Sequence, residues 1–241
     1  MKILVIGDIH GRTEWKEVIE TRKPDLTIFL GDYVSAHLDI TEDDQINNFE
    51  EILKYKEANP DKVILLRGNH DIQHMMGNTD VFECSGFFPK VGEYCTKNYE
   101  RIMKNTQWVY VKDDIIFSHA GITDVWYEDS RVESVEGINK LPPCELFGFR
   151  PTSFWDMYGD SVTQGCTWVR PQTLASHPLK GYTQVVGHTR VKEITDITKA
   201  VKYGQHIWLC DRFPKQCLII EDGEFMVVDL KDLKEDKTND A

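Results

Sequence analysis

Three times in the first seventy residues an apolar run closes on a glycine and then on a residue able to ligate a metal. Lys2 to Ile6 runs into Gly7, Asp8, Ile9 and His10; Leu26 to Leu30 runs into Gly31 and Asp32; Val63 to Leu66 runs into Arg67, Gly68, Asn69, His70 and Asp71. Each run reads as a buried strand. Between them lie helical patterns, one with Trp15, Val18 and Ile19 on its buried side, the other spanning Asp44 to Asn59. Strands alternating with helices at this spacing predict a βαβαβ unit and a parallel sheet. The carboxyl ends of parallel strands lie together, and open α/β sheets gather their ligands there.

Local signals fill in the rest. Thr13 is expected to cap the first helix and Pro24 stops it; Asp39 to Asp44 form an acidic loop before the second, whose apolar face is Ile46, Phe49, Ile52, Leu53 and Tyr55. From 72 to 105 the pattern loosens into an irregular insertion with short helices, among them Thr96 to Lys104, placed like a substrate-facing lid. Trp108 to Lys112 and Ile115 to Ser118 flank Asp113-Asp114 as a hairpin. A second loose region, 122 to 167, is rich in aromatics and reads as a packed cap. Gln184 to Val186 is a short strand; His206 to Cys210, Gln216 to Glu221 and a last strand to Asp229 read as an antiparallel meander. The expected architecture is mixed α/β: a parallel half and an antiparallel half packed face to face with outer helices, one domain over residues 1–241. The charged segment 231–241 is read as a solvated end.

Composition excludes several classes of function. A net charge of −12, from 40 acidic against 28 basic residues, argues against a general nucleic-acid binder. No stretch approaches the ~20 apolar residues of a membrane span. The N-terminus enters a strand at once and carries no signal-peptide pattern. Cys84, Cys95, Cys144, Cys166, Cys210 and Cys217 show no CxxC spacing and read as reduced, mostly buried thiols of a cytoplasmic protein.

Asp8, His10, Asp32, Asn69, His119 and His188 each follow an apolar run and stand beside or close to a glycine. Carboxylates with imidazoles and an amide suit two divalent ions. Asp32 would bridge them, Asp8 and His10 completing one site, and Asn69, His119 and His188 the other. A pair of ions ~3.5–4 Å apart is built for in-line displacement at phosphorus, activating a water to hydroxide and neutralising phosphoryl oxygens. His70 is placed to protonate the leaving oxygen, with a further ligand or an orienting residue as its alternative, and Asp71 to hold its ring.

GDIHG, GDYV, LLRGNHD, SHAGI and GHT, in this order from Lys2 to about Asp211, resemble the calcineurin-like metallophosphoesterase superfamily. Within it they resemble the phosphoprotein phosphatase branch, with its phage and bacterial phosphatases and symmetrical diadenosine tetraphosphatases. The resemblance implies a four-layer αββα sandwich and two divalent ions, often manganese in bacterial members, with iron, zinc, nickel, cobalt or magnesium as alternatives. It also implies the ligand roles above and the acid role of His70. In this branch GHT carries one metal histidine, which agrees with Arg190 standing where other members place a second.

The chain departs from the branch after GDYV. Ser35, Ala36 and His37 stand where Asp-Arg-Gly is usual, so the phosphate-binding Arg and the orienting Asp of that motif have no counterpart there. Arg170 resembles a Trp-x-Arg element of phage-type members and is a phosphate-binding candidate; Arg12 and Arg190 are further candidates, with a surface ion pair as the alternative for each. His37, His74, His177 and His206 match no motif and read as surface or locally bonded imidazoles, and Asp211 as structural. The leading expectation is a metal-dependent phosphomonoesterase acting nominally on phosphoserine or phosphothreonine proteins. A nucleotide or dinucleoside polyphosphate hydrolase stands second. A silent binding scaffold stands last, because all six ligand positions and His70 are present. The expected partners are thus a phosphorylated protein or a small phosphate, with neither nucleic acid nor membrane.

Overall fold

The computed structural model describes residues 1–36, 39–77, 86–143, 161–200 and 204–231. The sequence-based readings of His37, Phe82, Cys84, Cys144, the aromatics between Phe147 and Tyr158, and most of the charged C-terminal segment fall outside these residues. Among the described residues no helix is long and apolar enough to cross a membrane.

Two five-stranded sheets carry the fold. The first has the order β10-β9-β1-β2-β3, built from β1 (Lys2–Ile6), β2 (Leu26–Phe29), β3 (Val63–Leu65), β9 (Gln216–Glu221) and β10 (Glu224–Asp229). The second has the order β4-β5-β6-β8-β7, built from β4 (Val109–Lys112), β5 (Ile115–Ser118), β6 (Thr183–Val186), β7 (Thr195–Asp196) and β8 (Ile207–Leu209). β1, β2 and β3 are parallel, with Ile6 opposite Phe29 and Phe29 opposite Leu65. β5, β6 and β8 are parallel as well, with Ser118 opposite Val186 and Val186 opposite Leu209.

Alternation along the strands explains the layering, since successive side chains point to opposite faces of a sheet. Ile3 and Val5 of β1, Ile28 of β2, and Leu218 and Ile220 of β9 share one buried cluster with Phe117 of β5 and Val185 of β6, which is the filling between the sheets. Their neighbours Leu4, Ile6, Phe29, Cys217 and Ile219 point the other way, onto Trp15 and Val18 of α1 (Trp15–Arg22) and Phe49, Ile52 and Leu53 of α2 (Glu42–Ala58). On the far side, Ile116 packs with Trp108, Trp126 and Ile138, and Val186, Ile207 and Leu209 pack with Leu174. The result is two mixed sheets face to face with helices outside them.

Several expectations are corrected. The halves are not one parallel and one antiparallel: each sheet is mixed. The closing strands do not form a meander, because β8 pairs parallel to β6 while β9 crosses to the first sheet and pairs antiparallel with β1. The physical reason is burial. Five of the six β9 residues are buried, on both faces, so the strand needs an interior position, and it lies between β1 and β10. Thr13 does not cap α1 through its side chain; Glu14 takes that position with no side-chain bond. α2 starts at Glu42, two residues early, because the Thr41 hydroxyl accepts the Asp44 N–H. The stretch after β3 is helical at once: α3 runs Asn69–Met76, and the short helices expected there include α4 (Pro89–Lys97) and α5 (Tyr99–Asn105), which break at Asn98 inside the helix expected at Thr96 to Lys104. The hairpin around Asp113-Asp114 stands, and Trp126 is buried in a packed cluster as the cap reading required. The four described cysteines are buried free thiols.

Candidate metal centre

The parallel strand ends of both sheets open on one edge, and the loops leaving them are laced together. The amides of Ile9 and His10 both donate to the Asp32 carbonyl, at 3.1 and 2.7 Å, and Gly11 donates to the Tyr33 carbonyl at 2.9 Å. Across the sandwich the His188 N–H donates to Asp8 Oδ1 at 3.1 Å, and within the second sheet the Gly187 N–H donates to the His119 carbonyl at 2.8 Å. His10, Asp32 and His188 have φ of 45°, 50° and 60°. Three non-glycine residues in the left-handed region within one site mark backbone held by its surroundings against local preference.

The six sequence-predicted ligands converge. Asp8, Asp32 and His119 offer ligand atoms that all lie within 4.8 Å of one another, and all three are buried. Asp32 Oδ2 stands 3.5 Å from His119 Nε2 and 4.0 Å from His10 Nε2. The Asn69 amide oxygen stands 3.0 Å from both His119 Nε2 and His188 Nδ1.

Each imidazole is turned by a backbone carbonyl. His10 Nδ1–H donates to Val34 O at 3.0 Å, His119 Nδ1–H to Leu30 O at 2.8 Å, and His188 Nε2–H to Trp168 O at 3.0 Å. A neutral ring that spends its proton on a carbonyl presents a bare lone pair at its other nitrogen. The other ring nitrogens, His10 Nε2, His119 Nε2 and His188 Nδ1, are the atoms facing Asp32 and Asn69. Burial pushes the His119 imidazolium pKa down to about 3, with His10 and Arg170 adding to the effect, and drives His188 well below its usual range, helped by His119 and Arg170. His119 and His188 are therefore neutral. The carboxyls of Asp8 and Asp32 are raised well above their ordinary range, chiefly by burial, then by Asp211 and Asp32 on Asp8 and by Asp71 on Asp32. Acceptor lone pairs aimed at one small buried volume repel one another, and a cation is what such a donor set fits. Were the Asn69 amide reversed, its NH2 would satisfy two rings, but the buried carboxyls of Asp8 and Asp32 would still crowd one volume with His119.

Glycine is required where loops from different strands touch. A Cβ on Gly68 would lie 2.0 Å from Asp32 Oδ1, and one on Gly187 would lie 2.3 Å from Asp8 Oδ1. Gly68 is also the N-cap of α3, whose first turn carries Asn69 and His70. The His70 amide donates to Asp32 Oδ1 at 3.0 Å, and its ring sits edge-on to His10 with centroids 5.5 Å apart. The first turn of this helix thus locks Asp32 in place while presenting His70 to the centre.

Asp71 differs from expectation. Its Oδ2 accepts the amides of Asp32 and Gly68, both at 2.8 Å, and its Oδ1 accepts that of Tyr33 at 2.9 Å. It does not hold the His70 ring. The reason is its place at the third position of α3, where a carboxylate turns back to the helix start. Burial raises its pKa to about 7 against the pull of these amides. Arg170 stands beside the centre: Nη1 donates to Thr189 Oγ1 at 3.1 Å, next to His188, and its charge is felt at Asp32, His119 and His188. Arg12 and Arg190 stand outside the ligand ring and line a cleft against it. Asp211 is half-buried next to Asp8, its carboxyl raised to about 6 by burial although Arg190, Arg12 and Arg212 oppose the shift.

The unmatched histidines sort by burial. His74 is fully buried, with Nδ1–H donating to the His70 carbonyl at 2.8 Å and Nε2 accepting the Phe88 N–H at 3.0 Å. His206 is exposed and paired with Asp196 at 2.6 Å. His177 bonds the Ser176 hydroxyl at 2.9 Å. In the substituted loop, the Ser35 hydroxyl donates to the Gly86 carbonyl and the Ala36 amide to Gln45 Oε1 at 3.0 Å, so both are structural ties. The carbonyls of Val34, Leu30 and Trp168 were invisible to sequence reasoning, because any residue supplies a carbonyl.

The calcineurin-like phosphoesterase family model matches residues 1–192. Among solved structures, the fold is similar to a cold-active protein-tyrosine phosphatase of a psychrophilic Shewanella species (TM-score 0.61, 14% identity, covering 94% of this chain and 77% of that one). It is similar also to a protein serine/threonine phosphatase from Saccharomyces cerevisiae (TM-score 0.57, 14% identity, 95% and 79%). A metallophosphoesterase from Sphaerobacter thermophilus aligns over 99% of this chain and 94% of its own, at TM-score 0.52 and 14% identity. With the family match over most of its length and the fold to go with it, this chain belongs to the calcineurin-like phosphoesterases, and it is a phosphoester hydrolase.

Proposed function

We propose that the chain hydrolyses phosphomonoesters with two divalent ions, one held by Asp8, His10 and Asp32, the other by Asp32, Asn69, His119 and His188. The observation that carries this is the convergence of neutral imidazole nitrogens, two buried carboxylates and an amide oxygen on one volume. Bound divalent ions supply Lewis acidity, which activates a water and neutralises phosphoryl charge. The chain's own groups do the rest. Arg170 holds the phosphoryl oxygens with its guanidinium fork. His70 gives its proton to the leaving oxygen. Gly68, Asp71 and the three carbonyls keep the ligands in register. Manganese is the metal we favour, in a cytoplasmic setting, and a phosphoserine or phosphothreonine protein is the nominal substrate, supported by the resemblance of the motifs to the phosphoprotein phosphatase branch. A second reading, hydrolysis of a nucleotide or dinucleoside polyphosphate, is favoured by the arginine-lined cleft beside the centre.

The test is p-nitrophenyl phosphate hydrolysis in manganese by the wild type, Asn69→Ala and His119→Ala. Both variants should lose activity with the fold intact by circular dichroism, and unchanged activity would sink the two-ion assignment. Phosphopeptides against diadenosine tetraphosphate in the same buffer then separate the two substrate readings.

A further inference from the structure

Two arginines stand beside the centre, and among the described residues neither has an ion-pair partner. Arg12 follows His10 by two residues and Arg190 follows His188 by two. The loops that bear them touch where His188 donates to Asp8. Both line one cleft of about 690 Å³, with Gly11, Ile40 and Asn48 on its walls, a size typical of small-molecule sites. Neither makes an ion pair with a described residue, and the Arg12 side chain's one hydrogen bond goes to the Ile9 carbonyl at 3.3 Å.

Their placement is held from below. Buried Asn48 donates to the Arg12 carbonyl at 3.0 Å and accepts the Trp15 indole N–H at 2.9 Å. The two guanidiniums repel each other: burial and then Arg190 lower the Arg12 pKa. Asp211 is felt by Arg12, Arg190 and Arg212 together, and Glu14 and Asp8 also act on Arg12. Asp39, Asp44, Glu51 and Lys215 also line the cleft, with Glu51 paired to Lys16 and Asp44 accepting the Thr41 hydroxyl. Arg12 and Arg190 are the two guanidiniums on the lining of this cleft. Two close, like-charged guanidinium forks gain most from an anion placed between them.

We propose that Arg12 and Arg190 form a subsite for a second phosphate, carried by the leaving group and joined to the scissile phosphorus through a bridging oxygen. The inference rests on the second of the two substrate readings above, phosphoanhydride hydrolysis at the same centre, and narrows it to short phosphoanhydrides. The attacking water's oxygen bonds to phosphorus and its proton passes to solvent. The bond from phosphorus to the bridging oxygen breaks, and its electron pair leaves on the second phosphate, whose growing charge faces the two guanidiniums. A phosphoserine side chain leaves as an alcohol and gives the pair nothing to hold.

The test compares kcat/KM for inorganic pyrophosphate and p-nitrophenyl phosphate, in manganese, for wild type, R190Q and R12Q/R190Q. The pyrophosphate-to-aryl-phosphate ratio should fall about tenfold or more in the double variant, and in the same direction in R190Q, whose exposed side chain leaves folding intact. A ratio constant within about twofold, or a wild type that turns over the aryl ester but not pyrophosphate, overturns the subsite while leaving the hydrolase reading standing. No manganese-dependent turnover of either compound would overturn that reading instead. The subsite is then decided by the thermal shift of chelated protein with methylenediphosphonate, expected in wild type and absent in R12Q/R190Q. Equal shifts in the two proteins, or none in either, count against it.

Discussion

Gly68 and Asp32 meet so closely that a Cβ on the glycine would stand 2.0 Å from the carboxylate oxygen Oδ1. Asp32 is the proposed bridge between two ions, and the Gly68 backbone begins the helix that carries Asn69 and His70. Gly68→Ala should therefore push Asp32 out of register. Overpacking of this kind costs about 1–3 kcal/mol, and a misplacement near 1 Å costs about 100-fold in rate. Thermal denaturation and p-nitrophenyl phosphate kinetics read the two effects separately. A variant with wild-type kcat would show that Asp32 does not need its present position.

The chelated protein should become less stable as pH rises above 6.5. Asp8 and Asp32 have carboxyls raised well above their unfolded values, and Asp71 is raised to about 7, burial being the main cause in each. A raised carboxyl pKa means that the folded state binds the extra proton, so stability falls as pH climbs through the folded value. His119 and His188 are shifted down by burial and act with the opposite sign, but only below about pH 6.5, where the unfolded imidazole charges. Melting temperature against pH from 6.5 to 8 should slope downward in EDTA and flatten in manganese. Identical slopes with and without metal would argue against ions at these carboxylates.

His70→Asn should keep metal binding but lose turnover, by about 100-fold or more for alkyl phosphates and less for aryl phosphates, whose leaving groups need no proton. The His70 ring beside His10 is the geometric basis. Equal losses on both substrate types would count against an acid role, and loss of manganese from the protein would make His70 a ligand.

Much of this centre was legible in the chain because its grammar is local. An apolar strand, a glycine and a ligand residue recur at Asp8, Asp32 and Asn69, and parallel pairing brings those ends to one edge without further instruction. His188 follows the same rule in the second sheet, and His119 ends the neighbouring parallel strand with its glycine, Gly121, two residues further on. What the sequence hid is what depends on long-range pairing or on backbone alone. β9 reads like any apolar strand, and only burial on both its faces puts it beside β1. The ring-turning carbonyls of Val34, Leu30 and Trp168 have no sequence signature. His74 reads as an ordinary polar residue until its stacking on Phe87, at 5.0 Å between ring centroids, shows it inside the structure.

Glu50 gives a stability test away from the centre. Its carboxylate accepts from Arg101 at 2.7 Å and from the Tyr94 hydroxyl at 2.5 Å, joining α2 to α4 and α5. Burial alone would raise its pKa, but the bonds from Arg101, Tyr94 and Lys54 outweigh that and hold it at about 2. A lowered carboxyl pKa contributes stability above the unfolded value, lost as pH falls through the folded one. Glu50→Gln should cost about 1 kcal/mol near pH 7, the discounted worth of a largely solvated pair. The difference from wild type should shrink from pH 5 downward and close near pH 2. A difference independent of pH over that range would assign the loss to packing rather than charge.

Asp71→Asn separates a positioning role from a chemical one. The carboxylate accepts three amides, from Asp32, Tyr33 and Gly68, through two oxygens. An asparagine keeps one acceptor and turns an NH2 toward at least one buried N–H, which costs about 1–3 kcal/mol. The loop carrying Asp32 should loosen, so manganese affinity and kcat fall together while the relative rates on aryl and alkyl phosphates stay as in wild type. Were Asp71 acting on the leaving group through His70, the alkyl substrates would suffer more. Asp71→Asn and His70→Asn should thus give different substrate signatures although the two residues are adjacent, because one carboxylate faces the backbone of the β2 loop while the neighbouring ring faces the centre.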